Sequence, residues 1–505
     1  MSELPKGWDK AFLGDVCEIA RGGSPRPIQD YLTDDPEGIN WIKISDATES
    51  EKYIFKTNQK ITRDGVSRSR IVKDGDFILS NSMSFGRPYI VRTEGCIHDG
   101  WLVLRISDAI FDRDYLYYFL SSQAAYSQFD SKAAGSTVRN LNIAIVKTVE
   151  ALIPPLNEQR RIVAKLDRLF ARSRSAREEL ERVSGLCDRY KQAILAAAFR
   201  GDITADWREQ NSDVEPASEL LKKVFENRKN EYQKECDAAK KRGQKKPDLE
   251  DSELATNPNQ QALSELPFSW KWSCIANLGR VRGGKRLPKG VSLLSENTGF
   301  IYIRAGDLKN GTVITDDLRF VPRNIQPLIK NYTVSGGDIY ITIVGACIGD
   351  SGIIPAHLDG ANLTENAAKI SNLSGCNNCY LALWLKSSMA QEFIQNNILS
   401  STQGKLALFR IKTLPLPFPP LEEQEEIVQR IEKLFKAIDL MVQEYQKASK
   451  LLDRLDQATL ARAFRGELVP QNPNDEPAAA LLERILTERP NQIPAKRART
   501  KKADL

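Results

Sequence analysis

Side chains able to hydrogen-bond to nucleic acid gather in two short polar stretches at matching places in the two halves of this 505-residue chain. The first holds Ser136, Thr137, Arg139 and Asn140; the second holds Thr402, Gln403 and Lys405. Arginine offers paired donors to a guanine edge, and Asn or Gln matches adenine, so these are the types that read bases in the major groove. The same types also build ordinary turns, and that reading stays open. A second surface is Asn81-Ser82-Met83-Ser84-Phe85-Gly86-Arg87, with Thr342 to Gly349 as its counterpart. Arg68 and Arg70 precede the first of these, and Arg319 and Arg323 precede the second. Phosphate contacts position a protein and base contacts specify, and residue type alone does not sort these arginines. Lys43 and Arg304 stand at matching strand positions, where a DNA contact and a structural role both fit. Gly22-Gly23 and Gly283-Gly284 either bring main chain close to DNA or make tight turns.

Catalytic constellations are missing from the sequence. There is no Gly-x4-Gly-Lys-Ser/Thr phosphate loop. Pro154-Pro155 and Pro419-Pro420 follow Ile153 and Phe418, not the polar Asn or Asp that precedes Pro-Pro in amino-methyltransferases. His98 and His357 are the two imidazoles, at non-equivalent places. Of the eight cysteines, only Cys376 and Cys379 have metal-like spacing. A structural zinc site needs four ligands, with Cys347 and His357 the nearest additions, so no metal is expected. A net charge of +6 and a pI near 8.7 permit a nucleic-acid partner without demanding one. Met1 to Trp8 has no apolar signal core, and no run approaches the roughly 18 apolar residues of a membrane span. The expectation is a soluble, cytoplasmic chain with no catalysis of its own.

The elements that must position these residues are duplicated. Ile153 to Thr204 recurs as Phe418 to Val469 at a constant offset of 265 with no gap. Pro154-Pro155-Leu156-Asn157-Glu158-Gln159 is answered by Pro419-Pro420-Leu421-Glu422-Glu423-Gln424, and Ala198-Phe199-Arg200-Gly201 by Ala463-Phe464-Arg465-Gly466. Upstream, Leu4-Pro5-Lys6-Gly7-Trp8 is echoed by Leu266-Pro267-Phe268-Ser269-Trp270, and Arg21-Gly22-Gly23 by Arg282-Gly283-Gly284. Two copies imply a pseudo-twofold molecule more readily than a solenoid. Short apolar alternations such as Gly75-Asp76-Phe77-Ile78-Leu79 and Gly337-Asp338-Ile339-Tyr340-Ile341 read as strands ended by turns. Each divergent segment therefore reads as a mixed α/β or α+β globule, with helices opening near Tyr115 and Tyr380. A shared frame with divergent loops suits a fixed scaffold carrying different specificities.

The repeated run reads as a long helix with a heptad seam. In the first copy the seam takes Ile162, Leu166, Leu169, Ser173, Ala176, Leu180, Val183, Cys187, Tyr190, Ile194 and Ala197, with Phe170 beside it. In the second it takes Ile427, Ile431, Leu434, Ile438, Met441, Tyr445, Ala448, Leu452 and Leu455, with Phe435 beside it. Some 42 residues would span about 63 Å. Such a seam needs a partner: the other copy, or the same helix of a second chain. Gly201 and Gly466 stand where the helices should stop. The chain then divides into 1–152, a helix at 153–204, a charged helical connector at 205–262, 263–417, a second helix at 418–469, and a terminal helix with a basic tail at 470–505. Glu476-Pro477-Ala478 echoes Glu215-Pro216-Ala217 near the start of the last and third of these segments.

A prolyl pair followed by Leu-x-Glu-Gln and a heptad helix, closed by Ala-Phe-Arg-Gly and repeated after a variable segment, resembles one family across nearly the whole chain. It is similar to the specificity subunit of Type I restriction-modification systems. The resemblance implies an α+β protein with two mixed α/β target recognition domains separated by two long antiparallel coiled-coil helices. It implies that each domain reads one block of an asymmetric, gapped target in double-stranded DNA. It also implies that the helices dock methylation (M) subunits, two of them, and through these the restriction (R) subunits. S-adenosylmethionine, ATP and Mg²⁺ would belong to those partners, with no cofactor in this chain. A spacer of fixed length would match half-sites set by the helical repeat of DNA, about 34 Å per turn. The competing readings are a helical adaptor without sequence-specific DNA binding and, less well supported by motifs, a self-contained nuclease or methyltransferase.

Overall fold

The computed structural model describes residues 4–48, 50–81, 85–133, 140–243, 263–398 and 404–488. The chain forms two compact units, one from Met1–Glu181 with Gln446–Leu505 and the other from Arg182–Tyr445. The units do not coincide with the two sequence copies: each takes its globule from one copy and the end of a long helix from the other.

In the first unit, Cys17–Arg21, Trp101–Ile106, Phe77–Ser80, Pro88–Val91 and Tyr53–Ile54 form a five-stranded sheet in that order. A second sheet orders Leu32–Thr33, Gln59–Ile61, Ile39–Ile42, Gly95–Ile97 and Arg70–Val72. Successive strand residues point to opposite faces. Phe77, Leu79, Ile90, Leu102 and Leu104 accordingly enter one core with the helices Arg113–Leu120 and Gln123–Ala133. Ile78, Tyr89, Val91, Trp101 and Val103 enter a second core with Ile42, Val72 and Ile97 of the other sheet. Covered on both faces, these strands carry unbroken apolar runs instead of alternating with polar residues.

The second unit repeats the plan. Arg280–Gly283, Ala367–Ser371, Ile339–Thr342 and Ser351–Ile353 make a four-stranded sheet, and Arg319–Phe320, Ile301–Ile303 and Asn362–Leu363 a three-stranded one. A parallel pair recurs at the same place in both units, Gly95–Ile97 with Ile39–Ile42 and Asn362–Leu363 with Ile301–Ile303; the first unit adds a second, Tyr53–Ile54 with Pro88–Val91. The helices foreseen near Tyr115 and Tyr380 are Arg113–Leu120 and Asn378–Leu385, started by the side chains of Asp112 and Asn377.

The repeated motifs are the joints of this plan. In the first unit Trp8 donates its indole N–H to Glu158 Oε1 at 3.0 Å. Gln159 accepts the Asp112 amide at 2.8 Å and donates to the carbonyls of Ile110 and Pro154. In the second unit Trp270 donates to Glu423 Oε2 at 2.8 Å, while Gln424 accepts the Asn377 amide and donates to Gly375 and Pro419. All four carboxylate and amide side chains are buried, so each must have partners, and the Leu-x-Glu-Gln run supplies them. The Pro-Ala echo has the same function. The Ala478 amide donates to Gly7, and the Ala217 amide to Ser269, docking a helix on the first residues of each globule.

The long helices run Leu156–Arg200 and Leu421–Ala463, about 68 Å and 65 Å at 1.5 Å per residue. Gly201 and Gly466 end them with φ of 84° and 72°, the left-handed region that favours glycine. Within the first unit Arg177 bridges Asp453 at 2.6 Å and Asp456 at 2.5 Å, and Ser173 donates to Asp456 at 3.0 Å. Within the second, Lys191 reaches Asp439 at 2.7 Å. Residue numbers rise along one helix as they fall along the other, so the packing is antiparallel and within the chain. The polar seam residue Ser173 is thereby satisfied.

The seam itself needs correction in the second helix. Ile427, Ile431 and Ile438 are buried and Leu452 half-buried, but Leu434, Met441 and Leu455 are 42%, 59% and 57% exposed. Phe435, Val442 and Asp456 face inward instead. The stripe is turned by one residue because Phe435 is drawn against the core beneath Lys191, and Asp456 against Arg177. In the first helix Ile162, Leu166 and Cys187 are buried and Leu169, Phe170, Leu180 and Val183 half-buried, while Tyr190 is exposed.

The ends of the helices show why the units mix the copies. Phe464, from the second copy, lies 5.6 Å from both Tyr115 and Phe119 in the first unit. Phe199, from the first copy, lies 5.3 Å from Tyr380 and 5.0 Å from Trp384 in the second. Each closing Ala-Phe-Arg-Gly thus completes the other copy's core.

Candidate nucleic-acid interface

In each unit one main-chain bond joins described residues at the edges of the two polar stretches. In the first unit the Leu141 amide donates to Asn81 at 2.7 Å, joining the end of the 134–140 stretch to the start of the 81–87 loop. In the second unit Leu406 donates to Ile343 at 3.0 Å, and Lys405 forms an isolated bridge with Val344. Arg70 and Ser69 join the first group, through Arg70 Nε to the Arg21 carbonyl at 3.4 Å and Ser69 Oγ to the Ile97 carbonyl at 3.0 Å.

The glycine pairs root this surface. A Cβ on Gly22 would lie 2.0 Å from the His98 carbonyl oxygen, and one on Gly284 would lie 2.0 Å from that of Thr364. Neither a turn nor an approach to DNA explains these glycines; the main chain crosses the neighbouring strand connection too closely for a side chain. The match is also one residue off the sequence echo. Arg21 pairs with Leu102 whereas Gly283 pairs with the equivalent Ala368, so Gly22 corresponds to Gly284.

Four expected contact residues are committed elsewhere. Asn81 is 4% exposed and gives its amide to the Asp99 carbonyl at 2.8 Å. Thr342 is buried in its strand, opposite Ala367. Arg304 is held by Asp307 at 2.6 Å and Asp317 at 3.2 Å, and those bonds raise its pKa further. Its main-chain N–H donates to Asp307 as that of Lys43 does to Asp46, a turn common to both units. Arg319 also pairs with Asp317, at 3.0 Å. Arg68, Arg70, Arg87, Asn140, Arg323 and Lys405 are exposed, with Arg68 over the Tyr31 ring and Arg87 over Tyr89. Ser82, Ser84, Ser136, Thr137, Arg139, Thr402 and Gln403 lie outside the described residues.

Sequence reasoning missed Arg26 and Arg286, whose side chains are 80% and 82% exposed a few residues beyond the close-crossing glycines. An arginine within four residues of each glycine pair was the available signal. A cleft of about 310 Å³ beside the second crossing is lined by Arg282, Gly283, Gly284, Tyr332, Lys369 and Leu408, among others.

His98 packs between Trp41 and Trp101 and accepts the Gly100 amide at Nδ1, 2.9 Å. Burial lowers its pKa below the usual imidazole range. Cys376 and Cys379 straddle the start of the helix Asn378–Leu385, and burial pushes the Cys376 thiol up to about 12. Among the described residues no group of three or more His, Cys, Asp or Glu is placed to hold a metal, and no helix is long and apolar enough to cross a membrane.

These features describe a duplicated frame with divergent polar sequence beside one close crossing in each unit. The family model for the Type I restriction modification DNA specificity domain matches residues 5–183 and 267–450, more than half of the chain. The chain belongs to that family. It is 25% identical over 500 residues to the Type I restriction enzyme EcoBI specificity subunit of Escherichia coli, covering 95% of this chain and 92% of that one. It is 25% identical over 523 residues to the EcoKI specificity subunit of E. coli K12, covering 96% of each. A solved chain concerned with complex assembly and conformational transition of the type I R-M system shares the fold, with a TM-score of 0.64 at 18% identity over 92% of this chain and 100% of that one.

Proposed function

We propose that this chain is the DNA sequence-specificity subunit of a Type I restriction-modification complex. Its two globules each read one block of an asymmetric, gapped target in double-stranded DNA. The observation that carries this is the recurrence of one arrangement with different residues. The same crossing and the same loop-joining bond occur in both units, while the loops they hold together differ. Direct readout needs such variable polar loops on a rigid root.

Docking of two methylation subunits, and of restriction subunits through them, is supported by apolar side chains that the turned seam leaves outside. In the second unit these are Leu434, Leu440 and Met441; in the first they are Leu451 and Leu455. Contiguous exposed apolar side chains mark interaction faces. S-adenosylmethionine, ATP and Mg²⁺ belong in this reading to the partners, and the complex works in the cytoplasm on chromosomal DNA. The test is a genome-wide map of methylated adenine with and without this gene. Loss of one asymmetric, gapped motif is the expected result; an unchanged map of a system that does methylate adenine would favour an adaptor role.

A further inference from the structure

Beyond each close crossing, a carboxylate on the facing strand connection holds the emerging loop. In the first unit Asp99 lies between Gly95–Ile97 and Trp101–Ile106 and accepts Ser24 Oγ at 2.6 Å and Arg26 Nη2 at 3.3 Å. Its carbonyl accepts Arg21 Nε at 3.1 Å and the Asn81 amide at 2.8 Å. In the second unit Glu365 lies between Asn362–Leu363 and Ala367–Ser371 and accepts Arg286 Nε at 2.8 Å. Thr364 and Tyr302 donate to its other oxygen at 3.2 and 3.4 Å. The Ser24 hydroxyl, first among several donors, lowers the Asp99 pKa, so the carboxylate is charged at neutral pH.

An exposed ion pair adds little stability. The same pair has nevertheless been built twice, with Asp in one unit and Glu in the other. One carboxylate occupies a fraction of the five donors of a guanidinium and leaves the rest free for a second anion. The two globules differ in their variable loops, yet both present arginine here. A residue type common to two readers of different sequence suits the DNA phosphate, which carries no sequence information.

We infer that Arg26 and Arg286, four and two residues beyond their crossings, are both phosphate-binding residues and that Asp99 and Glu365, which are equivalent, are positioning residues that aim them. This rests on the reading of both globules as DNA-binding domains. The experiment uses the full chain assembled with its methylation subunits, with the duplex target given by the methylation map and a random duplex as probes. Arg26→Ala and Arg286→Ala should each weaken binding to both duplexes about tenfold. Each should also reduce the slope of log K against log salt by about 0.9, and the double variant by about twice that, with the methylated motif unchanged. Their exposure leaves folding intact, which equal melting temperatures verify. Asp99→Asn and Glu365→Gln discriminate further. Removing a negative charge beside DNA should tighten binding if the carboxylates do nothing else, whereas loss of aim weakens it.

Weaker binding by all four variants supports the inference. Unchanged affinity and salt slope for Arg26→Ala and Arg286→Ala overturn the phosphate contacts, and tighter or unchanged binding by the carboxylate variants overturns the positioning role. If the unaltered complex shows no gapped motif and no duplex binding, the functional reading fails and takes this inference with it. A normal motif with inert variants refutes the inference alone.

Discussion

Phe464→Ala tests the interchange of helix ends most directly, because it alters the second sequence copy and should damage the first globule. Phe464 is 4% exposed and meets Tyr115 and Phe119 edge to face, both at 5.6 Å, with interplanar angles of 67° and 80°. Losing its burial costs about 2 kcal/mol and each aromatic pair about 1 kcal/mol more, together about 4 kcal/mol, within the usual range for a large-to-small core change. Hydrogen exchange of the full chain, followed by mass spectrometry, reads this by region. Protection across Arg113–Leu120 and Gln123–Ala133 should fall by roughly a thousandfold, and that of Asn378–Leu385 should stay unchanged. Phe199→Ala should give the mirror result. The reasoning is refuted if Phe464→Ala deprotects Asn378–Leu385, or if the loss near Tyr115 is below tenfold.

The other expectations concern charge, pH and the helix surface. Glu158→Gln keeps an acceptor for Trp8 and removes a carboxylate whose pKa burial has raised, so chemical denaturation should shift by less than about 1 kcal/mol. Glu423→Gln strands the partly buried Arg208, which pairs with Glu423 along with Thr204, and should cost about 3–5 kcal/mol. His98 has a lowered pKa, so the unfolded chain takes up its proton first as pH falls. Stability is full above about 6.5 and declines below it, and His98→Gln should flatten the urea midpoint between about pH 7.5 and 5.5; an unaltered slope would count against burial as the cause. Leu434→Glu and Met441→Glu should leave folding within about 0.5 kcal/mol yet abolish co-purification with the methylation subunit, whereas Ile438→Glu should unfold the second unit. Inserting four residues after Val183 lengthens the helix by about 6 Å and should change the unspecified gap or abolish methylation; full activity on an unchanged motif would exclude a ruler.

Several features were legible because they are local or periodic. The duplication, the two long helices and their glycine stops, and the helices beginning before Tyr115 and Tyr380 follow from identity, apolar spacing and capping residues. The antiparallel pairing came from resemblance, and the ion pairs of Arg177 and Lys191 give it a physical basis. The seam of the second helix was misjudged by one position because a 3–4 pattern with apolar residues at both 434 and 435 has two solutions. Packing of the larger Phe435 ring and the Arg177–Asp456 bridge choose between them.

Contact chemistry was less legible. Arg304, Arg319, Asn81 and Thr342 have the right side chains for DNA, but Asp307 and Asp317, within three residues, hold the two arginines, and the carbonyl and strand partners of Asn81 and Thr342 lie in other segments. Arg26 and Arg286 were overlooked because their acids are more than seventy residues away. The sequence by itself determined that this is a duplicated protein with a fixed frame and divergent polar loops, since identity and periodicity are properties of the chain alone. Only the tertiary structure decided which copy completes which core, which face of the helix is left outside, and which arginines remain exposed. Those depend on where a distant ring or carboxylate comes to rest, and burial and pairing are settled by that distance in space, not by spacing along the chain.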